Sequence, residues 1–284
     1  MELEFLISAV NSTFPIETAM SGDRIGLQIQ TESNLVNGVL ITLEVTEEVI
    51  QECIQKKINT ILTFHPLIYS KLVSISLSER VGKLCSLLIK NSINLLSIHT
   101  TFDAYIYGTS RILSEKLDLK PIGFLAPNQN IANSGMGIIA EPKTNLTAIE
   151  LIKKVSKVCA SPIRYSFNEN WFVTSSTKTF NKIAIVGGSG TSFITDVLAN
   201  NCDAFITADA TYHQFHSHKD KLLLIDVGHY EMEQFVPNGI AMALENFFNE
   251  NNLHYETSQT LTNPIRYYPN DANYTNNQIN MLNK

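Results

Sequence analysis

The 284-residue sequence has one tryptophan, four cysteines and few charges, with Asp, Glu, Lys and Arg together making up only 17% of it. Cys53, Cys85, Cys159 and Cys202 lie far apart and form no CxxC pair. That spacing excludes a disulfide framework and a sulfur-ligated zinc site, and leaves buried thiols in a reducing compartment. No block of lysines and arginines is long enough to track a phosphate backbone, and 21 basic against 27 acidic residues give a net charge of -6, so nucleic acid is not an expected partner. No apolar run reaches the length of a membrane helix, and no membrane association is expected. The opening MELEFLISAV carries acids where a secretory signal would carry positive charge, which points to the cytoplasm. A Gly-x-Ser-x-Gly nucleophile elbow and the lysine of a phosphate-binding P-loop are both missing, so hydrolysis by this chain would use metal-activated water in preference to a side-chain nucleophile.

What the chain does have is apolar material, 44% of its residues, enough for one large domain or two modest ones. Its hydrophobic period switches repeatedly. A helix is expected within 3–19, ending before the turn at Ser21, Gly22 and Asp23. A strand at 39–43, a helix near 47–57 and a strand at 60–64 follow, then a helix at 78–91 and a strand at 94–98. The later chain repeats this order, with a strand at 182–186, the GGSG turn opening a helix near 192–200, and strands at 204–207 and 222–227. Strands 39–43 and 182–186 are offset by 143 residues, as are 60–64 and 203–207.

This pattern predicts an α/β fold of two similar lobes related by an approximate internal repeat, with equivalent strand ends facing one another across a cleft. The first lobe is expected at 1–127, completed by 234–270, and the second at 128–233, with 271–284 a flexible C-terminal tail. Residues 121–134 read as a linker. The GMGIIAE strand from Gly135 and a helix starting near Asn145 or Leu146 would open the second lobe. A helix at 240–251 and a strand at 254–257 would close the ordered chain.

The chemistry candidates fall at strand ends, where open α/β sheets place their ligands. His65 directly follows one strand. His99 with Asp103, and His229 with Glu233, follow two others at the same i,i+4 separation. Imidazole and carboxylate donors together suit zinc, iron or manganese. A single histidine after a strand is more often a satisfied polar residue than a ligand, and it is the repetition that favours a metal site. Gly187, Gly188, Ser189 and Gly190 could turn backbone N–H groups toward a phosphate or carboxylate, although tight turning explains them equally well. Asp209, Tyr212 and His213 follow a further strand end, whereas His216 and His218 read as surface residues.

Taken in order, SGDRIGLQI at 21–29, TFHPLIY at 63–69, SIHTTFDA at 97–104, GGSG at 187–190, DAFITADATYH at 203–213 and DVGHYEMEQF at 226–235 resemble the NIF3-like family of dinuclear-metal proteins over about residues 3–268. The resemblance implies two α/β lobes with one or two divalent metal ions per subunit in the cleft between them, and a homohexamer built from dimers. It implies His65 and His229 as ligands of one cation, Asp103 as a ligand favouring the other, Glu233 as their bridge and the candidate catalytic group, and His99 as an occasional ligand. Phe64 stands where the family usually has a further histidine and cannot coordinate, so one metal position is expected to be weakened or empty. Some relatives carry a GTP cyclohydrolase type 2 label. Two function classes stand open: a metal-dependent hydrolase of a small phosphorylated or nucleotide-like substrate that would meet Gly187–Gly190, Tyr212 and His213, or a non-catalytic metal-binding oligomeric scaffold or regulator.

Overall fold

A computed structural model describes residues 1–172 and 179–267, and within them the chain divides into two units. With elements numbered in chain order, the first unit carries α1 (Leu3–Thr13), β1 (Gly26–Ile29), β2 (Gly38–Thr42), α2 (Glu47–Gln55), β3 (Thr60–Thr63), α3 (Arg80–Lys90), β4 (Asn94–Ser97) and α4 (His99–Asp103), and it closes with α11 (Val236–Glu250) and β11 (His254–Thr257). Its five strands run in the order β1-β4-β3-β2-β11. All neighbours are parallel except β1 and β4.

Strands β2, β3 and β4 are buried along their whole length, which is why they show no alternation of apolar and polar residues. α2 starts where the Thr46 hydroxyl accepts the Val49 N–H at 3.3 Å, with Glu47 and Glu48 favourably placed at the positive end of the helix dipole. It buries Val49, Ile50 and Cys53 in one cluster with Leu84, Cys85 and Leu88 of α3 and with Leu40, Ile61 and Leu95 of the strands. The helix expected within 3–19 stops at Thr13 and resumes only as a 3-10 turn at Ile16–Thr18. Pro15 is the cause, because its ring drives the preceding Phe14 out of the helical region.

The second unit carries β5 (Leu119–Pro127), β6 (Gly135–Pro142), α6 (Ala148–Cys159), β7 (Arg164–Tyr165), α7 (Glu169–Phe172), β8 (Ile183–Ile185), α8 (Ile194–Ala199), β9 (Ala204–Thr207), α9 (Tyr212–His218), β10 (Leu223–Asp226) and α10 (His229–Glu233), followed by the residues from Asn263. α5 (Thr109–Lys116) contains the point where the chain leaves one unit for the other. The six strands run β5-β6-β8-β9-β10-β7, with β8, β9 and β10 parallel. α6 opens on a capping box in which the Thr147 N–H donates to Glu150 at 2.8 Å and the Glu150 N–H donates to Thr147 at 3.4 Å. The core gathers Phe205, Leu224, Ala184 and Val197 with Leu125 of β5.

The stretch 121–134 is not a linker, since β5 occupies its first half as the edge strand of this sheet. An edge strand tolerates Pro121, whose missing N–H would break an interior ladder. The second half is a turn in which Asn128 accepts the N–H groups of Asn130 and Ile131 at 2.9 and 3.1 Å. The two units thus share a connectivity of three parallel strands, β2, β3 and β4 in one and β8, β9 and β10 in the other, each series ending in a five-residue helix. The tail expected at 271–284 lies outside the described residues. No helix among the described residues is long and apolar enough to cross a membrane.

Candidate metal centre

In the first unit the hydrogen-bond ladder continues beyond the carboxyl ends of the strands. The Phe64 and His65 N–H groups donate to the carbonyls of Thr42 and Leu43, and the His99 N–H donates to the carbonyl of Phe64, each at 2.9 Å. His65 and His99 are therefore fixed by their backbones, and their ring centroids lie 5.5 Å apart. His99 takes a φ of 28°, a conformation costly for any residue with a Cβ and typical of functional positions. α4 starts at His99 and places Asp103 one turn later.

Each ring has a carboxylate beside it, and His99 is hydrogen-bonded to its own. His99 Nδ1 lies 2.7 Å from Asp23 Oδ1, and His65 Nδ1 lies 3.0 Å from Glu44 Oε1. Burial pushes the Asp23 carboxyl up, but hydrogen bonds from His99, Thr100 and the Arg24 N–H outweigh it and bring its pKa down to about 2. Phe64 is fully buried, with its ring 4.8 Å from that of His65, 5.5 Å from that of His99 and 6.4 Å from that of Phe102. It packs where it cannot ligate.

In the second unit α10 carries His229 and Glu233 on one face. His229 Nδ1 lies 2.7 Å from Asp209 Oδ2, and its Nε2 lies 3.2 Å from Glu233 Oε2. Glu233 is 2% exposed. Gly188 explains how the pair fits against the GGSG turn. Its φ is +63°, and a Cβ there would stand 2.5 Å from Glu233 Oε1 and 3.2 Å from His229 Nε2. Gly190 is equally constrained, since a Cβ would meet Val186 at 2.5 Å and Thr207 Oγ1 at 2.7 Å, while its N–H donates to that hydroxyl at 2.8 Å. Ser189 is exposed, as are Tyr212 and His213 on α9; Tyr212 packs against His213 with ring centroids at 5.5 Å.

The histidine partners Asp23 and Glu44, and the pairing of Asp209 with His229, were not legible in the sequence. The His99–Asp23 contact spans 76 positions, and no spacing rule reaches that far. Behind Asp209 the buried Asp226 accepts the Ala210 N–H at 2.8 Å and the Gly228 N–H at 3.1 Å and pairs with Arg164, fixing the loops on both sides of the His229–Asp209 pair.

The donor set fits a divalent cation of the zinc, iron or manganese kind. A histidine whose Nδ1–H points at a carboxylate keeps its Nε2 lone pair for a metal, the usual outer-shell arrangement of ligating imidazoles. With its Nδ1 so engaged, His229 would aim a lone pair at a carboxylate oxygen 3.2 Å away, an arrangement that requires a proton or a cation between them. The cysteines offer nothing comparable. All four are buried, and burial pushes Cys53 and Cys159 up to about 12 and Cys202 up to about 11.

These features define a class: an α/β protein with a repeated three-strand unit whose strand ends carry carboxylate-oriented histidines. Within that class the chain belongs to the Duf34/NIF3 (NGG1p interacting factor 3) family, whose model matches residues 1–264. It is 31% identical over 235 residues to a GTP cyclohydrolase 1 type 2 homolog of Clostridium perfringens, covering 82% of this chain and 87% of that protein. It is 32% identical to another protein of that name from Nostoc, covering 69% and 73%. A Staphylococcus aureus crystal structure matches with a TM-score of 0.84 at 27% identity, over 94% of this chain and 99% of the other. A Bacillus cereus protein related to NIF3 gives the same TM-score and coverage at 22% identity, a likeness of fold.

Proposed function

We propose that the chain binds divalent metal and uses it to hydrolyse a small phosphorylated or nucleotide-like substrate. The observation that carries the reading is His229, held at Nδ1 by Asp209 and turned at Nε2 toward Glu233. The proposed ligands are His229 and Glu233 in the second unit and, in the first, His65 and Asp103, with His99, held by Asp23, an occasional ligand. A divalent cation there would lower the pKa of water and polarise a phosphoryl oxygen. Asp209 orients the His229 imidazole, and the buried Glu233 carboxylate would help to position water once a cation is bound. Substrate would meet Gly187, Gly188, Ser189 and Gly190 together with Tyr212 and His213. The nucleotide element of the proposal rests on the names of the relatives. We further propose cytoplasmic location and assembly as a homohexamer of dimers.

The test is metal quantification of gently purified protein beside His229→Ala and Glu233→Gln, with phosphate release followed over a panel of nucleotides and small phosphomonoesters. The proposal expects metal in the parent, loss of it in both variants, and turnover that chelator abolishes. Equal metal content in all three proteins would sink the site. Metal retained without turnover of any substrate would replace hydrolysis with a scaffold or regulatory role.

A further inference from the structure

α10 has five residues, barely more than one turn, and an isolated turn of helix is unstable in water. Something outside it must hold the two candidate ligands in place. His229 and Glu233 share a face, and Glu231 between them points about 200° around the helix from each. Glu231 is 1% exposed, and a buried carboxylate needs donors.

The chain after Thr262 brings them. Asn263, itself 6% exposed, donates its amide to Glu231 Oε1 at 2.7 Å. Its Oδ1 accepts the Ile265 N–H at 3.0 Å, and Arg266 folds back to donate to the Asn263 carbonyl at 2.6 Å. This turn delivers Tyr267, whose hydroxyl stands with Glu231 Oε2 beside Gly228. Gly228 records the same packing. It has a φ of +95°, and a Cβ there would lie 2.4 Å from Glu231 Oε2 and 2.7 Å from the Tyr267 hydroxyl. The position before His229 is glycine because Glu231 and Tyr267 fill the space a side chain would need.

We infer that Asn263 and Tyr267 are positioning residues of the metal centre, acting through Glu231 to fix the turn that carries His229 and Glu233. The inference rests on the metal-binding reading above. Removing the Asn263 amide takes a donor from the buried Glu231 carboxylate, removing the Tyr267 hydroxyl takes away the polar group packed with it against Gly228, and the turn must shift in either case. The ligand face then moves with it.

The test is cobalt(II) titration of the full chain, read by visible absorption, beside thermal melting of the metal-free protein. Tyr267→Phe and Asn263→Ala are expected to weaken cobalt binding roughly ten- to a hundredfold, the range seen when groups behind a ligand are removed, and to shift the ligand-field bands. Tyr267→Phe removes one oxygen and so remains informative if Asn263→Ala fails to fold. His229→Ala separates the two readings. If it loses cobalt while Tyr267→Phe keeps the parent affinity and bands, the inference is overturned and the centre stands. If His229→Ala itself binds as the parent does, the centre is overturned. A lower metal-free melting temperature in Tyr267→Phe with unchanged cobalt affinity would mark a role in stability alone and would also overturn the inference.

Discussion

At the scale of the residue, Phe64 separates packing from ligation most sharply. It follows the last residue of β3, donates a ladder hydrogen bond to the Thr42 carbonyl, and turns a fully buried ring toward Phe102 and the two imidazoles. A histidine there would add a nitrogen donor beside His65 and His99 at the loss of aromatic packing. Phe64→His is expected to raise bound metal above the parent's stoichiometry, measured by elemental analysis of gently purified protein. It should also lower stability by roughly 1–3 kcal/mol in thermal melting, because a smaller, polar ring replaces a buried apolar one. Unchanged stoichiometry would mean that Phe64 does not occupy a ligand position. The glycines teach the converse lesson. Gly188 and Gly228 look like turn residues in sequence, yet what their missing side chains admit is a carboxylate in each case.

At the scale of the element, α2 is tied to the chain that follows β11. Glu52 accepts from the hydroxyls of Ser258 and Thr260 at 2.6 and 2.8 Å and from the Gln259 N–H at 3.1 Å, while Lys56 pairs with Glu52 and Glu256. Burial raises the Glu52 carboxyl, but these hydrogen bonds prevail and lower its pKa from 4.5 to about 2. A folded pKa below the unfolded one contributes stability that is complete above about pH 4.5 and disappears as pH falls toward 2. Discounted for solvent screening, the contribution is roughly 2 kcal/mol. Glu52→Gln should therefore melt lower than the parent at pH 7 and converge with it near pH 2–3. A constant gap between the two melting curves down to pH 2 would refute this account of the clasp.

The same scale shows why period alone misplaces boundaries. It puts the start of α6 near Asn145 or Leu146, where the capping box of Thr147 and Glu150 sets it at Ala148, and it runs the first helix past Pro15, which ends α1 by a local steric rule. β5 announces itself by neither. Its burial is that of an edge strand, its prolines and glycine resemble a linker, and its pairing with β6 is decided by the sheet.

At the scale of the whole molecule, metal and assembly should both be visible in solution. A cation that binds only the folded state stabilises by about 2.7 kcal/mol at a free concentration one hundred times its Kd, so chelator should lower the melting temperature and added metal restore it. The proposed hexamer, six chains of 31.7 kDa, should sediment near 190 kDa. Sedimentation as a 31.7 kDa monomer at micromolar concentration would rule the assembly out.

By itself the sequence determined the α/β class, the repeated order of strands and helices, the place of His65, His99 and His229 at strand ends, and the i,i+4 pairing of two of them with carboxylates. All of these follow from local periodicity, which short-range backbone geometry imposes. Tertiary structure alone decided that Asp23 and Asp209 orient imidazoles, that Gly188 and Gly228 leave room for Glu233 and Glu231, and that Asn263 meets Glu231 of α10. These contacts join residues as much as 76 positions apart. Packing selects such partners by distance in space, and a period read along the chain carries no record of it.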